Sequence, residues 1–193
     1  ATVRPETIFG DVAVAVNPND ERFKDLIGQT ATIPLLNRPI PIIGDDHVEL
    51  DFGTGALKIT PGHDKNDYEI GLRHELPQIT VIDFDSKMIN VPDEYAGLTV
   101  PEARAKVVAH LEAAGLIIKT EPYTHSVAIQ DRSGGQIEPL IMEQWFMRVA
   151  ELNKPVIAAL ESDQIKLHPQ RFKKVALDWL TNEHDWCISR QNW

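Results

Sequence analysis

The sequence predicts an α+β fold that is mainly β: a curled sheet or β-barrel-like core with peripheral helices, followed by a helical C-terminal segment. Three observations carry this. The first half holds many short segments of alternating or β-branched character, broken by proline and glycine, as in barrels and curled sheets. Two stretches between them carry helix start and stop signals. After about Leu140 the composition shifts: all four tryptophans (Trp145, Trp179, Trp186 and Trp193) lie there, and the segment reads as helical. The chain accordingly divides into residues 1–130 and 131–193.

In chain order, Val12, Val14 and Val16 alternate with Asp11, Ala13 and Ala15, a period-two strand. Asn17-Pro18-Asn19-Asp20 ends it and caps a short helix that Gly28 stops. Further strands are expected at 30–34, 39–43, 48–52, 56–60 and 79–84. One helix is expected over 64–75. Another opens with Thr99-Val100-Pro101-Glu102, a Thr-x-x-Glu capping box, carries Ala103, Val107, Val108, Leu111 and Ala114 on its apolar side, and stops at Gly115. A strand pair is expected at 116–120 and 124–130, with a turn at 131–135. Helical stretches are expected near 143–148, 154–162 and 171–181.

With 193 residues, 42% hydrophobic and 25% charged, the chain has an ordinary globular composition. Its one cysteine, Cys187, rules out an internal disulfide and fits a reducing, cytoplasmic compartment. No apolar run approaches the roughly 18 residues needed to cross a bilayer. A net charge of −10 argues against a protein whose main task is gripping long nucleic acid, though one nucleotide end can still dock in a local pocket. Lys166, Arg171, Lys173 and Lys174 read as a solvated helix face. The opening residues read as the interior of a longer polypeptide, and a monomer is expected.

The most informative stretch is Gly53-Thr54-Gly55-Ala56-Leu57-Lys58-Ile59-Thr60-Pro61-Gly62-His63-Asp64, continuing to Asp67-Tyr68-Glu69. On a strand, Lys58 and Thr60 project from one face, and Leu57 and Ile59 from the other. Pro61-Gly62 turns the chain. Asp64 and Asp67, three apart at a helix start, share one side of it. Lys58, Thr60, His63, Asp64 and Asp67 thereby gather in a small volume. From the residues alone three readings stand: a polar binding pocket; plain helix capping by Asp64 and Asp67 beside a solvated strand face; and a hydrolytic metal site built on His-Asp-x-x-Asp, although no second histidine partner is visible. The opening Thr2-Val3-Arg4-Pro5-Glu6-Thr7 offers hydroxyls and amides for a carbonyl or ribose. It also suits a polar loop entering a short helix, with Pro5 near its first position.

Taken together, these stretches resemble the signatures of class I aminoacyl-tRNA synthetase editing domains. Residues 1–7 followed by Gly10-Asp11 are similar to the threonine-rich peptide, and residues 53–64 through Asp67-Tyr68-Glu69 to the second signature. Lys58 with Thr60, and Asn66-Asp67-Tyr68-Glu69, look valyl rather than leucyl or isoleucyl. Asp185-Trp186-Cys187-Ile188-Ser189-Arg190-Gln191-Asn192-Trp193 resembles the return into the synthetic Rossmann domain. There are departures. Relatives often carry Thr in place of Val3, so Val3 receives no role, and Ala in place of Gly62. A Cys-x-x-Cys found in some relatives near 131–134 is missing here, so neither zinc nor any other metal is expected.

The resemblance implies residues 1–130 as a proofreading domain and 131–193 as a mostly helical connection to the rest of a synthetase. It implies hydrolysis of the threonyl ester on the 3′ end of tRNA(Val) by a positioned water, and possible action on Thr-adenylate. Asp67 is expected on the substrate's α-ammonium. Lys58, Thr60 and Asp64 are expected to sense the threonine hydroxyl, with Arg4, Thr2 and Thr7 holding the terminal adenosine and ester. Phe52 and Tyr123 are candidates to stack on the tRNA end, with ordinary core or rim packing the alternative. No cofactor is expected in this stretch, because ATP and magnesium belong to the synthetic domain, whose signatures are absent. An isoleucyl- or leucyl-type editing domain and a non-catalytic tRNA-positioning module remain as alternatives.

Overall fold

A computed structural model describes residues 2–50 and 53–190. Its chain contacts separate two compact units, Ala1–Ile141 and Met142–Trp193.

The first unit opens with a 3-10 turn, Pro5–Gly10, and a strand, β1 (Ala13–Val16). A short 3-10 turn at Lys24–Leu26 leads to the hairpin of β2 (Thr30–Ile33) and β3 (Arg38–Gly44), and β4 (Ala56–Ile59) follows. The sheet order is β2-β3-β1-β4. β3 is shared end to end. Its first residues pair antiparallel with β2 (Thr30 opposite Pro41, Ile33 opposite Arg38), and its last residues pair parallel with β1 (Val14 opposite Ile42, Val16 opposite Gly44). Pro39 and Pro41 lack the donor a second ladder needs, so β1 engages β3 only beyond them. The result is a stepped, partly curled sheet whose edges, β2 and β4, stay open. The barrel-like closure expected from the many short strands does not form among the described residues.

Two helices pack on this frame. α1 (Lys65–Arg73) starts where the Asp64 carboxylate accepts from the amides of Asn66 (2.8 Å) and Asp67 (3.1 Å), an N-cap that satisfies two otherwise orphan donors. α2 (Val100–Ala113) starts at the expected box: Glu102 accepts from the Thr99 amide (2.9 Å) and hydroxyl (2.7 Å). Two apolar cores result. One holds Val12, Ala13, Ala15, Val48, Ile59 and Ile70 between sheet and α1. The other joins Phe9 of the first turn to Val81, Ile82, Met88, Tyr95 and the α2 residues Val100, Ala103 and Val107.

Several expected elements are absent for identifiable reasons. Residues 48–50 are irregular, and 51–52 lie outside the described residues. Residues 79–84 are not a strand: Val81 and Ile82 are buried, and Phe84 is exposed. Ile82 makes one isolated bridge, to Met88, and the Val81 amide goes to a histidine ring instead of a ladder. Residues 116–130 form no strand pair: Ile118 is fully exposed and nothing covers an apolar face. The chain turns at 131–135 as expected, closed by one isolated antiparallel bridge, Ile129 with Gln136, and by backbone hydrogen bonds from Gln130 N–H to Gly135 O (2.8 Å), Gly134 N–H to Gln130 O (2.8 Å) and Ile137 N–H to Ala128 O (3.0 Å).

In the second unit, the stretch near 143–148 is not helical. Its Phe146–Met147 forms β5, which pairs with β6 (Trp186–Cys187), a partner about forty residues downstream. α3 (Val149–Glu161) and α4 (Phe172–Asn182) lie between them. Asn153 joins the two helices by donating to Leu180 O at 2.9 Å. Among the described residues, no helix is long and apolar enough to cross a membrane.

Candidate functional site

β4 places Lys58 and Thr60 on one face, as the alternation requires, with Ile59 fully buried behind them. The antiparallel register sets Lys58 opposite Val14, and the Val12 amide donates to Ile59 O at 2.8 Å. That brings Asp11, just before β1, alongside β4. The three Lys58 ammonium donors are all engaged: Thr7 Oγ1 at 3.0 Å, Asp11 Oδ1 at 3.0 Å, and Thr60 Oγ1. Thr60 donates its hydroxyl to Asp11 Oδ1 at 2.6 Å and its amide to Asp67 Oδ2 at 2.8 Å. A single threonine thus connects the lysine–carboxylate pair to the start of α1.

Asp67 is buried, and burial pushes its pKa up to about 6; the hydrogen bond from Thr60 N–H opposes the rise and the neighbouring Asp64 carboxylate adds to it. Its Oδ1 has no hydrogen-bond partner among the described residues, so one acceptor stays available for a cation. Asp11 is raised too, by burial against the pull of Lys58. Asp64 is exposed and acts as the N-cap of α1, so the capping reading of this residue is realised in the structure.

The first turn supplies the other wall. Thr7 is buried and donates its hydroxyl to Arg4 O at 3.0 Å. Thr2 is exposed and accepts from the Arg4 amide at 3.0 Å. Arg4 donates to Glu6 Oε1 at 3.2 Å and pairs with Glu138. Arg38 ties down the end of the turn by donating to Phe9 O (2.9 Å) and Asp11 O (2.7 Å). Two glycines let these walls close. A Cβ on Gly62 would sit 2.3 Å from Ile79 O, and one on Gly10 would sit 3.1 Å from the same oxygen.

His63 is buried, and its Nε2 accepts from the Val81 amide at 2.8 Å. Burial, with Arg4 next in weight, lowers its pKa to about 4. The ring is therefore neutral near pH 7 with its proton on Nδ1, and it pins the turn at residues 61–63 to the segment beside it.

Of the residues singled out from sequence, Thr7, Lys58, Thr60 and Asp67 converge directly. Asp64 adjoins them through α1, and Arg4 and Thr2 through the first turn. Tyr123 is 61% exposed and stacks on His125 with centroids 5.7 Å apart; no hydrogen bond or ring contact among the described residues joins it to the cluster. Phe52 lies outside the described residues. Sequence reasoning gave no role to Asp11, Arg38, Glu6, Arg104 or Glu138. Asp11 figures in the sequence only in the Gly10-Asp11 pair and in the alternation that leads into β1, and neither marks it as a partner of Lys58. Glu6 and Arg104 lie 98 positions apart, so no local spacing could couple them. Among the described residues, no three His, Cys, Asp or Glu side chains converge as a cation-binding group.

A fixed ammonium, two hydroxyls and a buried carboxylate with one open oxygen form a surface for a small ligand bearing both a cation and a hydroxyl. Residues 7–193 match the model of the class I tRNA synthetases (I, L, M and V), and the chain belongs to that family. Along its whole length it is similar to valine–tRNA ligases: 51% identical to that of Carboxydothermus hydrogenoformans, 53% to that of Prochlorococcus marinus (strain NATL2A), and 50% over 194 aligned positions to that of Streptococcus agalactiae serotype III. It spans only 21–22% of the length of these relatives.

Proposed function

We propose that this chain proofreads within a valine–tRNA ligase, hydrolysing the ester of mischarged Thr-tRNA(Val). The observation that carries the reading is the junction at Thr60, where the Lys58–Asp11 pair meets a buried Asp67 with one open oxygen. The chemical problem is isosterism. Threonine has the shape of valine with a hydroxyl in place of a methyl. An apolar pocket rejects it only about 100-fold, a general limit for the valyl class. A pocket built to hydrogen-bond the hydroxyl discriminates by about 10⁴ or more, because its polar groups stay unpaired when valine enters.

In this reading Asp67 Oδ1 takes the α-ammonium. Lys58, Thr60 and Asp64 sense the hydroxyl, which displaces one of the present partners of Lys58. Arg4, Thr2 and Thr7 hold the ester and terminal adenosine, with Phe52 and Tyr123 as stacking surfaces. The nucleophile is a positioned water, since His63 Nε2 is committed to a backbone amide and no nucleophile–base pair adjoins it among the described residues. ATP and magnesium serve the synthetic domain, and tRNA(Val) and the rest of the ligase are the partners. Deacylation assays on Thr-tRNA(Val) and Val-tRNA(Val) test the proposal. Rapid hydrolysis of the threonyl ester alone is expected, and Asp67→Ala slows it about 100-fold through loss of a charge-assisted contact. Equal rates for both esters, hydrolysis only of tRNAs of another specificity, or an unimpaired Asp67→Ala variant overturns it.

A further inference from the structure

Glu6 has a fully buried side chain, and the proposed chemistry does not use it. Arg104, on α2, grips it with a two-pronged fork: Nε to Oε2 at 2.9 Å and Nη2 to Oε1 at 2.9 Å. Arg4 adds a third guanidinium bond at 3.2 Å. Burial alone raises the Glu6 pKa, yet the Arg104 hydrogen bond and the positive charges bring it below its ordinary value, so the carboxylate is ionised. Burying such a pair adds little stability over an apolar pair of the same volume. The join between α2 and the first turn is already made by apolar packing, since Phe9 shares a core with Ala103 and Val107 and its ring lies 4.7 Å from Tyr95. What the ion pair adds is orientation. Glu6 stands between Arg4 and Thr7; Thr7 closes back on Arg4 O through both its amide (3.2 Å) and its hydroxyl (3.0 Å), and accepts from Lys58 at 3.0 Å.

We infer that Arg104 is a positioning residue: through Glu6 it fixes the Arg4–Thr7 edge of the site, and thereby the Thr7 hydroxyl against Lys58. The inference rests on the deacylase reading above. Displacing that edge by about 1 Å slows a reaction that depends on alignment by up to about 100-fold.

The test uses the intact polypeptide that carries this sequence. Arg104→Gln and Arg104→Lys, neither of which can reproduce the fork, are expected to lower kcat for Thr-tRNA(Val) deacylation roughly 10- to 100-fold with KM nearly unchanged. The double variant Glu6→Gln/Arg104→Gln removes the uncompensated buried charge and is expected to recover the thermal midpoint but not kcat. Independently of turnover, hydrogen exchange at the Thr7 amide quickens in Arg104→Gln while that at Ala15 in β1 does not. If Arg104→Gln fails to fold, Arg104→Lys and the double variant carry the same comparison. Wild-type kcat in a folded Arg104 variant, or kcat that returns together with the midpoint, overturns the inference and leaves the deacylase reading standing. A wild-type protein without turnover on Thr-tRNA(Val) overturns both.

Discussion

Asp67 and His63 sit four residues apart and are perturbed in opposite senses by the same burial. Asp67 has a folded pKa of about 6, above its ordinary 3.8, so the native state holds that proton more tightly than the unfolded chain. Its contribution to stability is complete below about 3.8 and disappears as pH rises through about 6. His63, lowered from 6.5 to about 4, contributes fully above 6.5 and loses that contribution as pH falls through about 4. The two slopes offset one another across mildly acidic pH. Asp67→Asn removes one of them, so denaturant titrations should show this variant gaining stability relative to wild type as pH rises from about 4 to 7. A constant difference over that range argues against the burial-raised carboxylate. At this scale the sequence was partly legible. The alternation along 56–60 placed Lys58 and Thr60 on one face, and the loop composition gathered Asp67 near them. Asp11 was not legible as a partner because its contact with Lys58 crosses 47 positions, and a buried ion pair of that separation leaves no local pattern.

At the scale of elements, α1 tests whether Asp64 is a sensor of substrate or a cap. Its carboxylate holds the first amides of the helix. Asp64→Ala is expected to cost about 1 kcal/mol of stability, while Asp64→Ser keeps an oxygen for the cap and costs less. If Asp64 also senses the hydroxyl, Asp64→Ser retains the thermal midpoint yet loses deacylation selectivity for threonine. Unchanged selectivity assigns Asp64 to capping alone. Helix starts were readable from sequence because their determinants are local: Asp64 for α1, and Thr99 with Glu102 for α2, lie within one turn of what they cap. Strands were less readable because alternation does not specify a partner. Residues 123–129 alternate yet make only one isolated bridge, Ile129 with Gln136, and Phe146–Met147 looked helical until its distant partner Trp186–Cys187 decided otherwise. The missing barrel has the same origin: Pro39 and Pro41 divide β3 between two neighbours, a consequence of register rather than of strand count.

For the whole molecule, the distribution of aromatic residues separates the two units. All four tryptophans lie in Met142–Trp193, and Tyr68, Tyr95 and Tyr123 lie in Ala1–Ile141. The described part of the second unit fully buries few side chains, with Val149, Asn153 and Leu160 foremost, whereas the first has two apolar cores. Tryptophan emission should therefore change at lower urea than the near-ultraviolet dichroism of Tyr95, which packs on Phe9. Coincident transitions would instead mark one cooperative block. Within the first unit, the Ile79 carbonyl underlies both Gly10 and Gly62, and these two glycines lead into opposite walls of the proposed pocket. One peptide group thus serves as a common datum for the threonine-bearing and carboxylate-bearing sides. A displacement of that peptide carries both along, preserving the spacing between them, while a methyl group at residue 62 would wedge one side alone off its reference.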